Sequence, residues 1–385
     1  MRHNSVSVDP GSRDDLEFKW NRVIRRRSFL QGVGVAGTIM SGGELLADDA
    51  RKLPRGDVAI LRFLAAAELV ESDFWQQYNE LGGVNGGNPA YKLALENLDS
   101  DMPQYVADNT DDEMSHAAFL NAYLMAKGEQ PVNLDSFRTL PSSQATGANQ
   151  KIKRLTNLSN LTVDTSWYTR YRGTGNPDRG TIFPQAVNIT GEPTIPQSDS
   201  DTPPHQMQPV PPAGKAETRM QAIANAAAFH FATFDAFGSS VYTHLSLKVR
   251  NPQVLRIVVS ILGVEVNHFA VWHDKAGNAV SQPLAGVQDP ETGVTFPDLN
   301  SAPFGGEAFQ TNLIFPEPCV FISPNLPACS VIRPSLKKNA GAVATATAIA
   351  SSHIFDGQPQ AFFDAVLGLA MAADAAKRDD DDDND

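Results

Sequence analysis

Apolar residues recur at helical spacing in four long segments of this 385-residue chain. The first segment, 57–81, is apolar on nearly every face, which predicts a central helix rather than a surface one. The second, 101–127, begins near Asp and Pro and is followed by Gly, and the third, 215–249, is rich in Ala and Phe. The fourth, 251–276, begins with Asn and Pro and is also followed by Gly, which is typical of helix capping. We therefore expect an all-α fold with four long helices.

A long segment, 128–214, separates the second helix from the third and contains a Pro-rich run. Compact domains rarely hold so long a connection, but some four-helix bundles use one as a crossover between two helix pairs. The chain is again rich in Pro and Gly after the fourth helix, and two further helices are expected near 339–352 and 359–377. The predicted segments are a signal (1–47), a bundle (57–277) that includes the crossover, an extension (278–378) and a disordered acidic tail (379–385).

The formal net charge of −13 argues against a surface for nucleic acid, because phosphate binding needs clustered Lys and Arg. The one basic cluster opens the stretch RRRSFLQ at 25–31, which resembles a bacterial twin-arginine export signal. The apolar run that follows, 32–40, is too short and too rich in Gly to span a bilayer. We expect cleavage after Ala47 and a periplasmic or secreted protein. No later segment is expected to be a stable membrane span.

The chain has two cysteines, Cys319 and Cys329, which lie close together in a Pro-rich segment. In an oxidising compartment they would close a small loop, and the alternative is two buried thiols. The sequence favours neither.

A Glu followed three positions later by a His occurs twice, as Glu113 with His116 in the second helix and as Glu265 with His268 in the fourth. On a helix, residues at this spacing lie on the same side, so a carboxylate and an imidazole can reach one metal ion. Chance recurrence is the alternative, but both pairs lie inside strong helix patterns. The double pair predicts a metal site inside the bundle.

A two-metal site also needs one carboxylate from each of the other two helices. The first helix offers Glu68 and Glu71 in an otherwise apolar stretch, where an unpaired ionised side chain is costly to bury. One of these two is expected on an exposed stripe. The third helix offers Asp235, which several Phe residues surround in the sequence. It is either a ligand, which the cost of burial favours, or a hydrogen-bonded core carboxylate.

These segments resemble the ferritin-like superfamily, and in particular the exported ferritin-like proteins grouped with desiccation-related proteins. The resemblance rests on the two Glu/His pairs, on AELVESDFW in the first helix and on DAFGSSVY in the third. The last stretch is similar to the Glu-x-x-Gly-x-x-x-Tyr segment of that group, with Asp235 at the Glu position. The resemblance covers about 57–277 and implies a ferritin-like four-helix bundle.

The resemblance also implies two bridging carboxylates, one imidazole on each metal ion and two terminal carboxylates. These are, respectively, Glu113 and Glu265, His116 and His268, and Glu68 and Asp235. Glu68 is preferred to Glu71 because Trp75 follows it at seven positions, as aromatic residues do in relatives, although Tyr78 stands in the same relation to Glu71. Asp in place of Glu shortens the side chain by one methylene, which weakens the expectation of a fully occupied second position.

A carboxylate-rich set with two imidazoles suits two iron or manganese ions better than zinc, which prefers four ligands and often thiolates. One functional hypothesis is a di-metal oxidase or a catalase-like enzyme that handles metal ions or a small-molecule oxidant under stress. The other is a stress-associated structural or binding protein whose metal site is a relic or has only a structural role. A storage cage is disfavoured because the crossover and the extension would obstruct packing of a shell. The sequence fixes neither the substrate nor the oligomeric state.

Overall fold

The computed structural model describes residues 52–378 with gaps. The gaps are 172, 174, 177–182, 202–218, 279–283, 300, 302–313, 315, 317, 319–321, 324 and 333–339. The expected export signal, the acidic tail and Cys319 lie outside the described residues, whereas Cys329 is exposed. The question of a bond between the two cysteines therefore stays open.

The prediction of an all-α, ferritin-like fold is confirmed. In the described part of the chain, the helices are α1 (Arg55–Gly82), α2 (Pro89–Leu98), α3 (Met102–Ala126), α4 (Ser166–Arg170), α5 (Arg219–Ser246), α6 (Pro252–His273), α7 (Ala342–Ser351) and α8 (Gln360–Ala375). The four long predicted helices are α1, α3, α5 and α6, and the two expected in the extension are α7 and α8. The helix α2 was not predicted, although Asn88 caps it by accepting a hydrogen bond from the backbone N–H of Tyr91.

The bundle consists of two helix pairs, in which α1 packs mainly on α3 and α5 mainly on α6. Local capping sets two of the helix ends. The side chain of Asn251 accepts hydrogen bonds from the backbone N–H groups of Gln253 at 2.8 Å and Val254 at 3.3 Å, which fixes the start of α6. Gly128 follows α3 with a φ of +78°, a left-handed conformation that Gly adopts without strain.

The crossover between α3 and α5 carries a small antiparallel sheet of β1 (Leu161–Val163) and β2 (Ile189–Glu192). It docks on α1 through the buried carboxylate of Asp73. This carboxylate accepts hydrogen bonds from the backbone N–H groups of Leu155 at 3.0 Å and Thr156 at 2.9 Å, and it forms an ion pair with Arg138 at 2.5 Å. A charged side chain of the bundle thus has its hydrogen-bond and ion-pair partners on the crossover. The crossover therefore folds as part of the same unit as the bundle.

The extension packs back onto the bundle, because α8 contacts α1 and α7 contacts both α5 and α8. Asp374 on α8 accepts hydrogen bonds from the backbone N–H groups of Ala342 and Val343, each at 2.9 Å, and so caps the start of α7. The crossover meets the extension where the backbone N–H of Asn157 donates to the carbonyl of Ile354 at 2.7 Å. Bundle, crossover and extension share one hydrophobic core.

Among the described residues, one helix, Pro252–Ala276, is long and apolar enough to cross a membrane by length and composition alone. One such helix is weak evidence for a span, because a core helix of a folded domain passes the same test, and the expectation of no stable membrane span is not contradicted. In the fold this segment is mainly α6, which packs on α5 and carries Glu265 and His268 as buried side chains. Its apolar character follows from its place in the bundle.

Candidate metal centre

The structure brings the six side chains expected as metal ligands together inside the bundle. They come from α1, α3, α5 and α6, and every one is buried, with exposed fractions from 0% to 8%. They are Glu68, Glu113, His116, Asp235, Glu265 and His268. Such a concentration of ionisable groups in an apolar core is costly unless the groups pair or bind a cation.

The first of two ligand groups centres on His116. Its Nδ1 lies 3.0 Å from Oε2 of Glu113, 3.4 Å from Oε2 of Glu68 and 3.8 Å from Oε1 of Glu265. One donor atom from each of these four residues lies within 4.8 Å of the others. The group therefore offers three carboxylates and one imidazole to a single cation.

The second group contains His268, Asp235 and, again, Glu113, with donor atoms that also lie within 4.8 Å of one another. Nδ1 of His268 is 3.0 Å from Oε1 of Glu113, whereas Oε2 of the same carboxylate is the atom nearest His116. The two oxygens of Glu113 thus point to two different imidazoles. This is the arrangement that a bridging carboxylate requires.

The groups differ in one respect from the roles implied by the resemblance. Glu265, expected as a second bridge, belongs to the first group and is not in the second. Its carboxylate still lies within 4.8 Å of Glu113, as a shared site requires. Glu68 belongs to the first group, whereas Glu71 is buried at 6% exposure but belongs to neither. The expectation that one of these two Glu residues lies on an exposed stripe was wrong, because α8 covers this side of α1.

Two residues of the DAFGSSVY stretch fit the first group closely. The hydroxyl of Tyr242 donates a short hydrogen bond to Oε1 of Glu68. Gly238 lies against Glu265, and a Cβ at this position would overlap Oε2 of that carboxylate. The stretch therefore holds one carboxylate by a hydrogen bond and leaves space for another.

Further polar side chains orient the shared carboxylate and the second imidazole. The amide of Asn109 donates to Oε1 of Glu113 at 3.0 Å, and Nε1 of Trp272 donates to the Asn109 oxygen at 2.9 Å. Nε2 of His268 lies 3.1 Å from Oδ2 of Asp112, which directs Nδ1 of the ring to the centre. Outer partners of this kind fix the tautomer and the orientation of a metal-binding imidazole.

The pKa of one carboxylate of the centre is shifted downwards, whereas the pKa values of the other carboxylates are shifted upwards. Burial opposes ionisation of Glu113, but the contacts with His116 and His268 outweigh it and lower its pKa to about 2. Burial also opposes protonation of His116, yet Glu113 and Glu68 raise its pKa to about 11. Burial raises the pKa of Glu68 to about 7 and raises the pKa values of Asp235 and Glu265 further. The metal-free centre is therefore expected to carry protons that a cation would displace.

Four buried carboxylate oxygens of the centre are among the side-chain atoms that have no hydrogen-bond partner. They are both oxygens of Asp235 and both oxygens of Glu265. Buried polar atoms are normally paired, and such atoms facing one another indicate a missing common partner. These four oxygens belong to the two ligand groups, so the residues present fit one or two cations of the oxygen- and nitrogen-binding kind.

Sequence reasoning named the six candidate ligands that the structure brings together but missed the residues that contact them. Tyr242 and Gly238 belong to a stretch that was used only for its resemblance. Asp112 directly precedes Glu113, and Trp272 follows His268 at the helical spacing of four. Helical spacing was the available signal for Trp272, whereas the contact of Tyr242 with Glu68 links residues 174 positions apart and has no local signal.

A family model described as a ferritin-like domain matches residues 56–278, which is more than half of the chain. The match begins at the start of α1 and ends just after α6, so it contains all six residues of the two groups. Searches of curated proteins and of solved structures find no match for the chain.

Proposed function

This chain belongs to the ferritin-like domain family, and from that premise we propose that it is an exported redox protein with a carboxylate-bridged pair of iron or manganese ions. Its expected role is protection under oxidative or desiccation stress, through chemistry on dioxygen, peroxide or metal ions. The single observation that carries this proposal is the position of Glu113 in both ligand groups, with a different imidazole near each of its oxygens.

The donor set supports iron or manganese. Around the first position it consists of three carboxylates and one imidazole, and around the second of two carboxylates and one imidazole. Neither group contains a thiolate, and hard oxygen donors with imidazole suit iron and manganese. A bound pair of such ions would supply two one-electron changes of oxidation state and hence two-electron chemistry on a small oxidant.

The protein's own residues hold and shield the centre. The six donors are at most 8% exposed, so bulk water has little access to them. Asp112 holds Nε2 of His268 and so directs Nδ1 to the centre. Tyr242 fixes Oε1 of Glu68, whereas Oε2 of the same carboxylate lies 3.4 Å from Nδ1 of His116. Donors held in place before binding lower the cost of ordering them around a cation.

A structural role is the second candidate, and one observation favours it. Glu113 lies 3.0 Å from each of two imidazoles whose pKa values are raised, so α3 and α6 are joined by ion pairs without any metal. Such a network would hold the two helix pairs of the bundle together. It leaves both oxygens of Asp235 and both of Glu265 unpaired, however, which favours the metal-binding proposal.

Export rests on the stretch RRRSFLQ, which lies outside the described residues. The desiccation-related assignment rests on the resemblance of AELVESDFW and DAFGSSVY. Replacing Arg26 and Arg27 by Lys is expected to stop export, because a receptor for this signal reads the guanidinium pair and not the charge alone. Normal accumulation of the double variant outside the cytoplasm would contradict the proposal.

Metal analysis of the purified full-length protein tests the function. Wild-type protein, reconstituted with ferrous or manganous ions, is expected to hold up to two ions per chain. The double change Glu113→Gln and Glu265→Gln is expected to abolish this, because amides do not supply the bridging charge. Glu129→Gln, a carboxylate outside the centre, is the matched control and should bind as the wild type does. Absence of both ions from reconstituted wild-type protein would favour the structural role.

Assays of ferrous-ion oxidation and peroxide disproportionation would then separate the two redox activities. An oxidase is expected to consume dioxygen with ferrous ions, and a catalase-like enzyme to release dioxygen from peroxide. Loaded protein that is inactive in both assays would contradict the redox proposal.

A further inference from the structure

The two imidazoles are the members of the candidate metal centre that reach the surface. His116 is 8% exposed and His268 is 6% exposed, whereas the four carboxylates of the centre are 0% exposed. His116 belongs to α3 and His268 to α6, so the accessible edge of the centre lies between these two helices. We call this edge, which Asp112, His116 and His268 form, the α3–α6 seam.

Side-chain contacts close the seam, because α3 packs mainly on α1 and α6 mainly on α5. At one end, Nε1 of Trp272 donates a hydrogen bond to Oδ1 of Asn109 at 2.9 Å. At the other end, the hydroxyl of Tyr123 donates to Oε1 of Gln253 at 2.8 Å. The two imidazoles lie between these contacts along both helices. Side-chain movement at the seam can therefore open the centre without separating the helices within either pair.

Asp112 is the carboxylate on the solvent side of the seam. Its side chain is 52% exposed, and its Oδ2 lies 3.1 Å from Nε2 of His268. The other nitrogen of this ring, Nδ1, lies 3.0 Å from Oε1 of Glu113. The imidazole of His268 thus stands between an exposed carboxylate and the buried carboxylate that both ligand groups share.

The charges around the seam favour the approach of cations. The sequence of α3, Met102–Ala126, includes no Lys or Arg, and the exposed Asp108 lies one helical turn before Asp112. On α6, Arg256 lies more than three turns away from His268. A surface with one sign of charge raises the local concentration and the association rate of the opposite ion. Of these exposed carboxylates, Asp112 contacts a ligand of the centre directly.

We propose that metal ions enter the centre through the α3–α6 seam and that Asp112 receives them on its solvent side. The inference rests on the proposed function, because a route for ions has a role only if the centre binds them. When its carboxylate engages a cation, Asp112 releases Nε2 of His268, and the imidazole can then turn aside and uncover Glu113. The contact forms again after entry and directs Nδ1 to the centre. Asp112 is thus a positioning residue that also controls access.

The rate at which metal-free, full-length protein takes up manganous ions tests this route. Rapid mixing, with a chelator added after set times, measures the rate. Asp112→Asn keeps an oxygen that can accept a hydrogen bond from Nε2 of His268 but loses the charge. It is expected to slow uptake several-fold and to weaken the dependence of the rate on ionic strength, with the final number of ions unchanged. Asp364→Asn, which removes an exposed charge on α8, is the matched control and should behave as the wild type does.

A second position tests the seam without changing a residue that contacts His268. Ser115 is exposed and follows Asp112 by three positions on α3, so its side chain lies on the same side of the helix. Ser115→Lys brings a positive charge to the seam and is expected to slow uptake several-fold, whereas Ser115→Glu should take up ions at least as fast as the wild type.

Wild-type rates of uptake in both Asp112→Asn and Ser115→Lys would overturn the inference, as would equal slowing in Asp364→Asn. Fewer bound ions in Asp112→Asn at an unchanged rate of uptake would also overturn it, because Asp112 would then only orient His268. Wild-type protein that takes up no ions would instead remove the proposed function, and this inference with it.

Discussion

Gly238 on α5 lies directly against the carboxylate of Glu265 on α6. The helix backbone approaches Oε2 so closely that a single methyl group would overlap it. Close packing therefore explains why a glycine occupies this position, although Gly within a helix is less favourable than Ala by up to about 1 kcal/mol. The space around the Glu265 carboxylate therefore depends on how closely α5 and α6 pack against each other.

Gly238→Ala is expected to displace Glu265 and to lower metal content while it destabilises the protein by about 1–3 kcal/mol, as overpacking of a core does. Metal analysis and urea unfolding measure the two effects. Gly263→Ala on α6 is the control, because nothing lies within 4 Å of a Cβ added there. That variant should be as stable as the wild type or more so. Full metal content in Gly238→Ala would show that the close approach has no role in binding.

Tyr242→Phe removes the hydroxyl that donates to Oε1 of Glu68. Loss of an outer hydrogen bond to a ligand typically weakens metal affinity about 10- to 100-fold. Competition with a chelator measures this change. The control is Tyr123→Phe, which removes a hydroxyl that donates to Gln253 at 2.8 Å, away from the centre. Equal affinities of the two variants would mean that Tyr242 does not act through Glu68.

The metal-free protein is expected to lose stability as the pH rises. The pKa of Glu68 is raised from 4.5 to about 7, first by burial, and the pKa of His116 is raised from 6.5 to about 11 by Glu113 and Glu68 against burial. Because the folded state holds these protons more tightly, their stabilisation is complete below the unfolded pKa and is lost as the pH rises through the folded pKa. Glu68 and His116 lie 3.4 Å apart, so the pair, rather than either group alone, sets the size of this loss.

Urea unfolding of metal-free and metal-loaded protein between about pH 5 and pH 8 measures this dependence. Metal displaces the protons from its ligands, so the loaded protein should not lose stability over the same range. A metal-free protein that gains stability with pH would contradict the assignment of the protons.

Asp235→Glu is expected to raise occupancy of the second metal position. Both oxygens of Asp235 lack a hydrogen-bond partner, which favours a ligand over a hydrogen-bonded core residue. One more methylene extends the carboxylate towards Glu113 and His268, the other members of its group. The number of ions per chain measures the effect, with Asp235→Asn as the opposite change. Lower occupancy in Asp235→Glu than in the wild type would mean that the core has no room for the longer side chain.

Local patterns were sufficient to predict the four long helices and the two Glu/His pairs, whereas the choice of Glu68 over Glu71 rested on the resemblance to ferritin-like proteins. The spacing of Glu113 and His116 and the Asn251 cap are relations within one helical turn, so they can be read from neighbouring residues. Asn88 and Pro89 offered the same capping signal for α2 and were overlooked.

Relations between helices could not be predicted in this way. The rotation of α3 against α6 decides which oxygen of Glu113 faces which imidazole, and no periodicity encodes it. The burial of Glu71 depends on α8, which folds back over α1 from the other end of the chain. Glu265 belongs to the first ligand group and not to the second, and this too depends on how the helices pack against one another.

The contact between Asp112 and His268 joins residues 156 positions apart. A ribosome adds residues in order, so the first Glu/His pair is made long before the second and has no partner until α6 has been synthesised. The centre is thus assembled late, once α6 has been synthesised. If the chain is exported in its folded state, as proposed, the ions that compete for the site are those of the compartment where it folds, and not those of the compartment where it finally resides.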